Sequence, residues 1–87
     1  MAAIAVIFAG IILKINPFEW SLVILVIGIV FLTELLNSSL EALADLVNPE
    51  WNESIRKAKD YAAAAVLISA IISVVVGALI FIPKIFK

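Results

Sequence analysis

The chain has 87 residues, neither cysteine nor histidine, and a formal net charge of −1. That excludes a disulfide framework, a thiolate metal site and imidazole chemistry, and it provides no basic field to hold nucleic acid. Hydrophobic residues make up 66% of the chain and its mean hydropathy is +1.26. Soluble domains sit nearer half apolar, and below roughly 100 residues a water-soluble core is already marginal. The excess apolar surface is therefore expected to face lipid, and any chemistry must run on carboxylates, lysines, hydroxyls and amides.

In chain order, the first apolar run is Ala2–Leu13. As a helix it spans roughly 18–20 Å, short of a hydrocarbon core of about 30 Å. It lacks the positive flank of a signal peptide. The favoured reading is a chain that begins partway through a longer helix, with Lys14 snorkelling to the interface at its end. Asn16-Pro17 then breaks the helical pattern and predicts a tight turn. Glu19 and Trp20 are placed at an interface, where tryptophan is enriched.

The second run, Trp20–Leu36, is about as long as a span requires, and its helical pattern continues through Asn37–Val47 to a stop at Asn48-Pro49. Residues 48–59 read as an amphipathic surface connector, with Trp51 and Ile55 sharing its membrane-facing side. The third run, Tyr61–Ile82, fits a full span and opens on a small-residue track, Ala62–Ala65, that permits close helix approach. Pro83, Lys84 and Lys87 close the chain at the opposite interface. The expected fold is all-α: one integral membrane domain over residues 1–87, with spans at about 2–15, 20–47 (including an extension beyond the membrane) and 60–82. Arg56, Lys57 and Lys59 on one side balance Lys14, Lys84 and Lys87 on the other, so the positive-inside rule leaves the orientation open.

Glu34 is the most informative residue. A carboxylate at membrane depth costs several kcal/mol on insertion scales and is by default a functional group, the alternative being an acid satisfied by a neighbouring helix. Glu34, Asn37, Glu41 and Asp45 follow i, i+3, i+7, i+11, which puts them on one helical stripe, bordered by Ser38, running from inside the membrane to its surface. Carboxylates four apart repel, and a cation between them relieves this. Glu41 and Asn37 offer the hard oxygens that suit Mg²⁺. Arg56, Lys57, Lys59 and Asp60 form a second cluster, fit either for meeting phosphate or for anchoring to anionic headgroups. Neither a Walker loop nor a kinase-type glycine loop occurs.

Glu34-Leu35-Leu36-Asn37-Ser38-Ser39-Leu40-Glu41, followed by Asp45, resembles the E-[IL]-L-N-[ST]-[AS]-[IL]-E…D signature of the prokaryotic diacylglycerol kinase family. Ala58-Lys59-Asp60 with Ala63–Val66 resembles that family's second block, at the right separation. Glu19-Trp20 and Phe81-Ile82-Pro83-Lys84 look more like the branch that phosphorylates undecaprenol. The resemblance covers nearly the whole chain. It implies an ATP- and Mg²⁺-dependent lipid kinase of the bacterial inner membrane. It further implies a homotrimer of three-span protomers with composite sites at the membrane–cytosol interface, and so places residues 48–59 on the cytosolic side.

By the same resemblance Glu34 is the general base toward the lipid hydroxyl, Asn37 positions the reacting groups, and Glu41 ligates magnesium. Lys59 and Asp60 contact the nucleotide. So do Glu50, Trp51 and Asn52, the last standing where many relatives carry histidine. Members of the family begin with an amphipathic surface helix, an arginine and a second glutamate ligand, which this sequence does not contain. The expectation is weak or no kinase activity from this chain as it stands, and the rival to an undecaprenol or diacylglycerol kinase is a non-catalytic membrane scaffold. A small ion-conducting oligomer ranks lower, because Tyr61–Ile82 carries only Ser69 and Ser73 as polar residues.

Overall fold

Asn16-Pro17 does break the chain, and the same residues restart it. In the computed structural model, which describes residues 2–47 and 52–86, the helices are α1 (Ala2–Leu13), α2 (Pro17–Val47) and α3 (Glu53–Ile85). The Asn16 side chain accepts from Glu19 N–H at 2.8 Å, and Asn16 N–H donates to the Glu19 carboxylate at 3.0 Å. This is a capping box, and Pro17 occupies the first helical position, where its missing N–H costs nothing. Lys14 ends α1 in the left-handed region at φ 55°. Its N–H reaches Ile11 O, and Ile15 N–H reaches Gly10 O, which is the Schellman pattern.

At 31 and 33 residues, α2 and α3 are about 46 and 50 Å long, and both are apolar enough to cross a membrane. They form an antiparallel hairpin within a body 54 Å long. At 12 residues α1 covers only about 18 Å. The expected connector is shorter than its sequence suggests: Glu53–Lys59 are the first turns of α3, continuous with the span. Pro83 likewise lies inside α3, which runs on to Ile85. The Asn48-Pro49 stop, Glu50, Trp51 and Lys87 lie outside the described residues.

Little of this chain is internal. Ile15, Val23 and Ile80 form the buried centre, where the three helices meet, with Val6, Trp20 and Phe81 packed around it. Most large apolar side chains point outward, among them Ile4, Phe8, Leu25, Leu32, Leu67 and Leu79. In water that surface would cost far more than so small a core returns; in a bilayer it is the solvent-facing side. The chain is an all-helical integral membrane protein.

Gly10 lets α1 lie close against the Trp20 ring of α2. A Cβ there would lie 2.8 Å from the Trp20 ring and 3.1 Å from Ile15 Cδ1. Gly10→Leu is expected to destabilise the fold by about 1–3 kcal/mol through overpacking. The loss would be read as lower thermal stability in detergent, with Trp20 fluorescence shifting as the ring leaves its seat.

Candidate active site

Three side-chain contacts hold α2 against α3 in constant antiparallel register. Glu19 pairs with Lys84 at 3.0 Å at one end, Asp45 pairs with Lys59 at 2.6 Å at the other, and the Thr33 and Ser69 hydroxyls meet at 2.9 Å between them. With Glu19 and Trp20 taken as one edge of the hydrocarbon layer, Glu34 lies about 22 Å in, roughly 8 Å short of the far edge. Glu41 falls just outside that edge, and Asp45 clears it. The stripe therefore starts within the apolar layer and ends in water.

Glu34 lines an open apolar cavity of about 410 Å³ between α1, α2 and α3, walled by Val6, Val23, Val30, Phe31 and Val76, among others. It is exposed there, and among the described residues it makes no ion pair or side-chain hydrogen bond. Asn37, about 60° round the helix, turns instead toward α3. It borders a smaller cleft with Thr33, Leu40, Ala62 and Ala65, and its Oδ1 is buried with no hydrogen-bond partner among the described residues. The alanine track of α3 is what leaves room for it. Glu41 is exposed, about two turns beyond Glu34 on the same side of α2.

Beyond the apolar layer, the hydrogen bond from Lys59 to Asp45 is the main reason the Lys59 ammonium is held above its usual range, with the Asp45 and Glu41 charges adding to it. Arg56 forks between Glu53 and Asp60, with Nη1 to Asp60 Oδ2 at 2.8 Å, and the bond to Glu53 chiefly raises its pKa. The expected site residues thus fall into two neighbouring groups. The hairpin brings Lys59 beside Asp45 and Glu41, and Asp60 lies one residue on, held by Arg56. Glu34 and Asn37 lie deeper, about 60° apart on α2 and bordering different clefts.

Asn52 has a structural task. Its side-chain oxygen accepts from Ser54 N–H at 2.9 Å and Ile55 N–H at 3.3 Å, capping α3. Asn52→Ala is expected to cost about 1 kcal/mol, read as a lower unfolding midpoint, with Asn52→Ser losing much less.

For the metal, no group of three Asp, Glu, His or Cys side chains converges among the described residues. Mg²⁺ is commonly held by one or two carboxylates together with substrate phosphates and water, and Glu41 with Asn37 meets that lower requirement in donor chemistry. The Thr33–Ser69 contact is not readable in the sequence. Two hydroxyls on separate apolar runs, each able to bond back to its own helix, carry no pattern that pairs them; only the register of the hairpin does.

Residues 1–81 match the family described as "Prokaryotic diacylglycerol kinase". The chain is 41% identical over 83 residues to undecaprenol kinase of Bacillus subtilis, covering 95% of this chain and 68% of that protein. It is 37% identical over 85 residues to a diacylglycerol kinase of Synechocystis sp., covering 97% of this chain and 49% of that one. To the diacylglycerol kinase of Escherichia coli K12 it is 43% identical over 47 residues, which are 54% of this chain and 38% of that enzyme. Against the two diacylglycerol kinases the match thus spans half or less of the relative's length. No solved structure matches the chain.

Proposed function

The chain belongs to the prokaryotic diacylglycerol kinase family, a family of membrane lipid kinases, and from that premise we propose that it transfers the γ-phosphoryl group of ATP to the hydroxyl of a membrane lipid alcohol. Undecaprenol is the preferred substrate, on the similarity to undecaprenol kinase across 95% of the chain and on the Glu19-Trp20 and Phe81–Lys84 features. The observation that carries the reading is Glu34: a carboxylate without an ion pair among the described residues, beside an apolar cavity, roughly 8 Å below the membrane edge and on the same helical face as Glu41.

The chemistry follows from that depth. A lipid alcohol lying with its chain along the apolar wall presents its hydroxyl near the interface. Glu34 takes the hydroxyl proton as the alcohol oxygen bonds to the γ-phosphorus, and the bond from that phosphorus to the β,γ-bridging oxygen breaks to release ADP. Phosphoryl transfer asks the protein mainly for positioning and charge neutralisation. Lys59 supplies a point charge to the phosphates, and Asp60 with Asn52, Glu50 and Trp51 contacts the rest of the nucleotide. Glu41, aided by Asn37, would hold Mg²⁺, which neutralises charge on the phosphates when bound.

ATP is cytosolic, so the end of the hairpin that carries Asp45 and Lys59 faces the cytoplasm of a bacterial inner membrane. The outward apolar faces of α2 and α3 suit a homotrimer in which neighbouring copies complete each other's sites. The test is purified protein in lipid bilayers with γ-labelled ATP and either undecaprenol or diacylglycerol. Label in undecaprenyl phosphate supports the reading. Label in phosphatidic acid alone reassigns the lipid, and no labelled lipid at all favours a membrane scaffold.

A further inference from the structure

We propose that Thr33 and Ser69 are positioning residues for Glu34, setting the roll of α2 about its own axis and thereby the depth and direction of the carboxylate; this rests on the function proposed above. Ser69 is 4% exposed, Thr33 is half-buried, and their hydroxyls meet at 2.9 Å. Among the described residues this is the one side-chain hydrogen bond joining α2 to α3 inside the apolar layer. The remaining cross-links, Glu19–Lys84 and Asp45–Lys59, sit at its ends.

The hydroxyls also reach back to their own helices, Thr33 to Val30 O at 3.0 Å and Ser69 to Val66 O at 2.8 Å. Two hydroxyl protons serve these three contacts, so the hydroxyl that donates across gives up its own carbonyl while the other keeps its own. Each proton has an acceptor either way, so the cross-contact is not a rescue of buried polarity. Hydrogen bonds of this kind in membranes are worth little to stability, about threefold in the folding equilibrium. Their geometric effect is larger. Thr33 directly precedes Glu34, so fixing one on α3 fixes the other about 100° round, toward the cavity. A roll of about 15° moves a group about 6 Å from the helix axis by roughly 1.5 Å, and misplacement on the scale of 1 Å can cost about 100-fold in rate. The end clips, Glu19–Lys84 and Asp45–Lys59, are made by long lysine side chains that can follow a rotation of this size, and lipid-facing side chains meet the same environment after it. Asn37, one turn on and bordering the same cleft as Thr33, moves with it.

The experiment is a double-mutant cycle in bilayers with Thr33→Val, Ser69→Ala and both together. Each single change is expected to lower kcat about tenfold with KM for Mg-ATP within twofold of the parent. The double variant should fall no further than either single, and Thr33→Ser should restore at least half of the rate. Unchanged kcat in the singles, losses that multiply in the double, or a loss carried by KM overturns the proposal. The chain has no cysteine, so a second measurement is clean: disulfide trapping between Leu40→Cys and Ala62→Cys, which border the cleft, with and without Thr33→Val in the same chain. If the parent phosphorylates no lipid, the function proposed above fails and trapping alone decides. A yield changed at least threefold by Thr33→Val supports the roll, and an unchanged yield overturns it.

Discussion

Glu34→Gln is expected to lower lipid phosphorylation by at least about 100-fold while leaving the fold intact. General-base assistance contributes about 10²–10⁴-fold, and the amide keeps the shape of the side chain while removing its capacity to accept the proton. Because Glu34 is exposed to the cavity and makes no ion pair among the described residues, no native electrostatic contact is lost with the charge. Stability should stay within about 0.5 kcal/mol of the parent, or rise, since a neutral amide is cheaper at that depth. Initial rates at saturating Mg-ATP and lipid, alongside thermal unfolding in the same detergent, separate the two effects. A variant with full turnover would remove Glu34 from the chemistry.

The second large effect is expected at Lys59. Lys59→Met should raise KM for Mg-ATP about tenfold or more, with the lipid KM changed less than threefold. Charged hydrogen bonds to phosphate are strong, and the methionine side chain keeps the length of the stem. In the free hairpin Lys59 is bonded to Asp45 at 2.6 Å. A triphosphate carries more charge than one carboxylate, so Asp45 is expected to act as a placeholder that nucleotide displaces from the ammonium. Asp45→Asn should therefore shift KM by no more than about threefold, because it frees the lysine without removing it. Equal effects from the two variants would mean that the ion pair, and not the lysine's own contact with nucleotide, is what matters. An unchanged KM in Lys59→Met would take phosphate binding away from this residue.

The apolar runs make the helices legible, because a run of some twenty apolar residues has few alternatives in a bilayer, and Glu34 stands out because its cost there is so high. The boundaries are harder. Residues 53–59 carry both charge signs and look like a connector, yet the Asn52 cap and the Arg56 fork between Glu53 and Asp60 extend α3 through them. Asn16-Pro17 reads as a break, although an Asn followed three residues later by Glu19 also spells a helix start. The stripe is readable as a face of α2. What each member faces is not: Asn37 turns toward the alanines of α3 while Glu34 borders the α1 side, and that division depends on where α1 and α3 pack. The Lys59–Asp45 bond likewise emerges only once the hairpin closes.

The clips at the two ends of the hairpin, Glu19–Lys84 and Asp45–Lys59, are about 39 Å apart along α2. A pair of helices clipped at both ends does not slide one past the other to shorten its greasy length. In a bilayer of shorter-chain lipid, the two must tilt together as one rod or thicken the lipid around them. Tilting would swing the water-facing end sideways and carry the stripe with it, so the acyl-chain length of the host membrane becomes a setting on how far Glu34 sits from the headgroups.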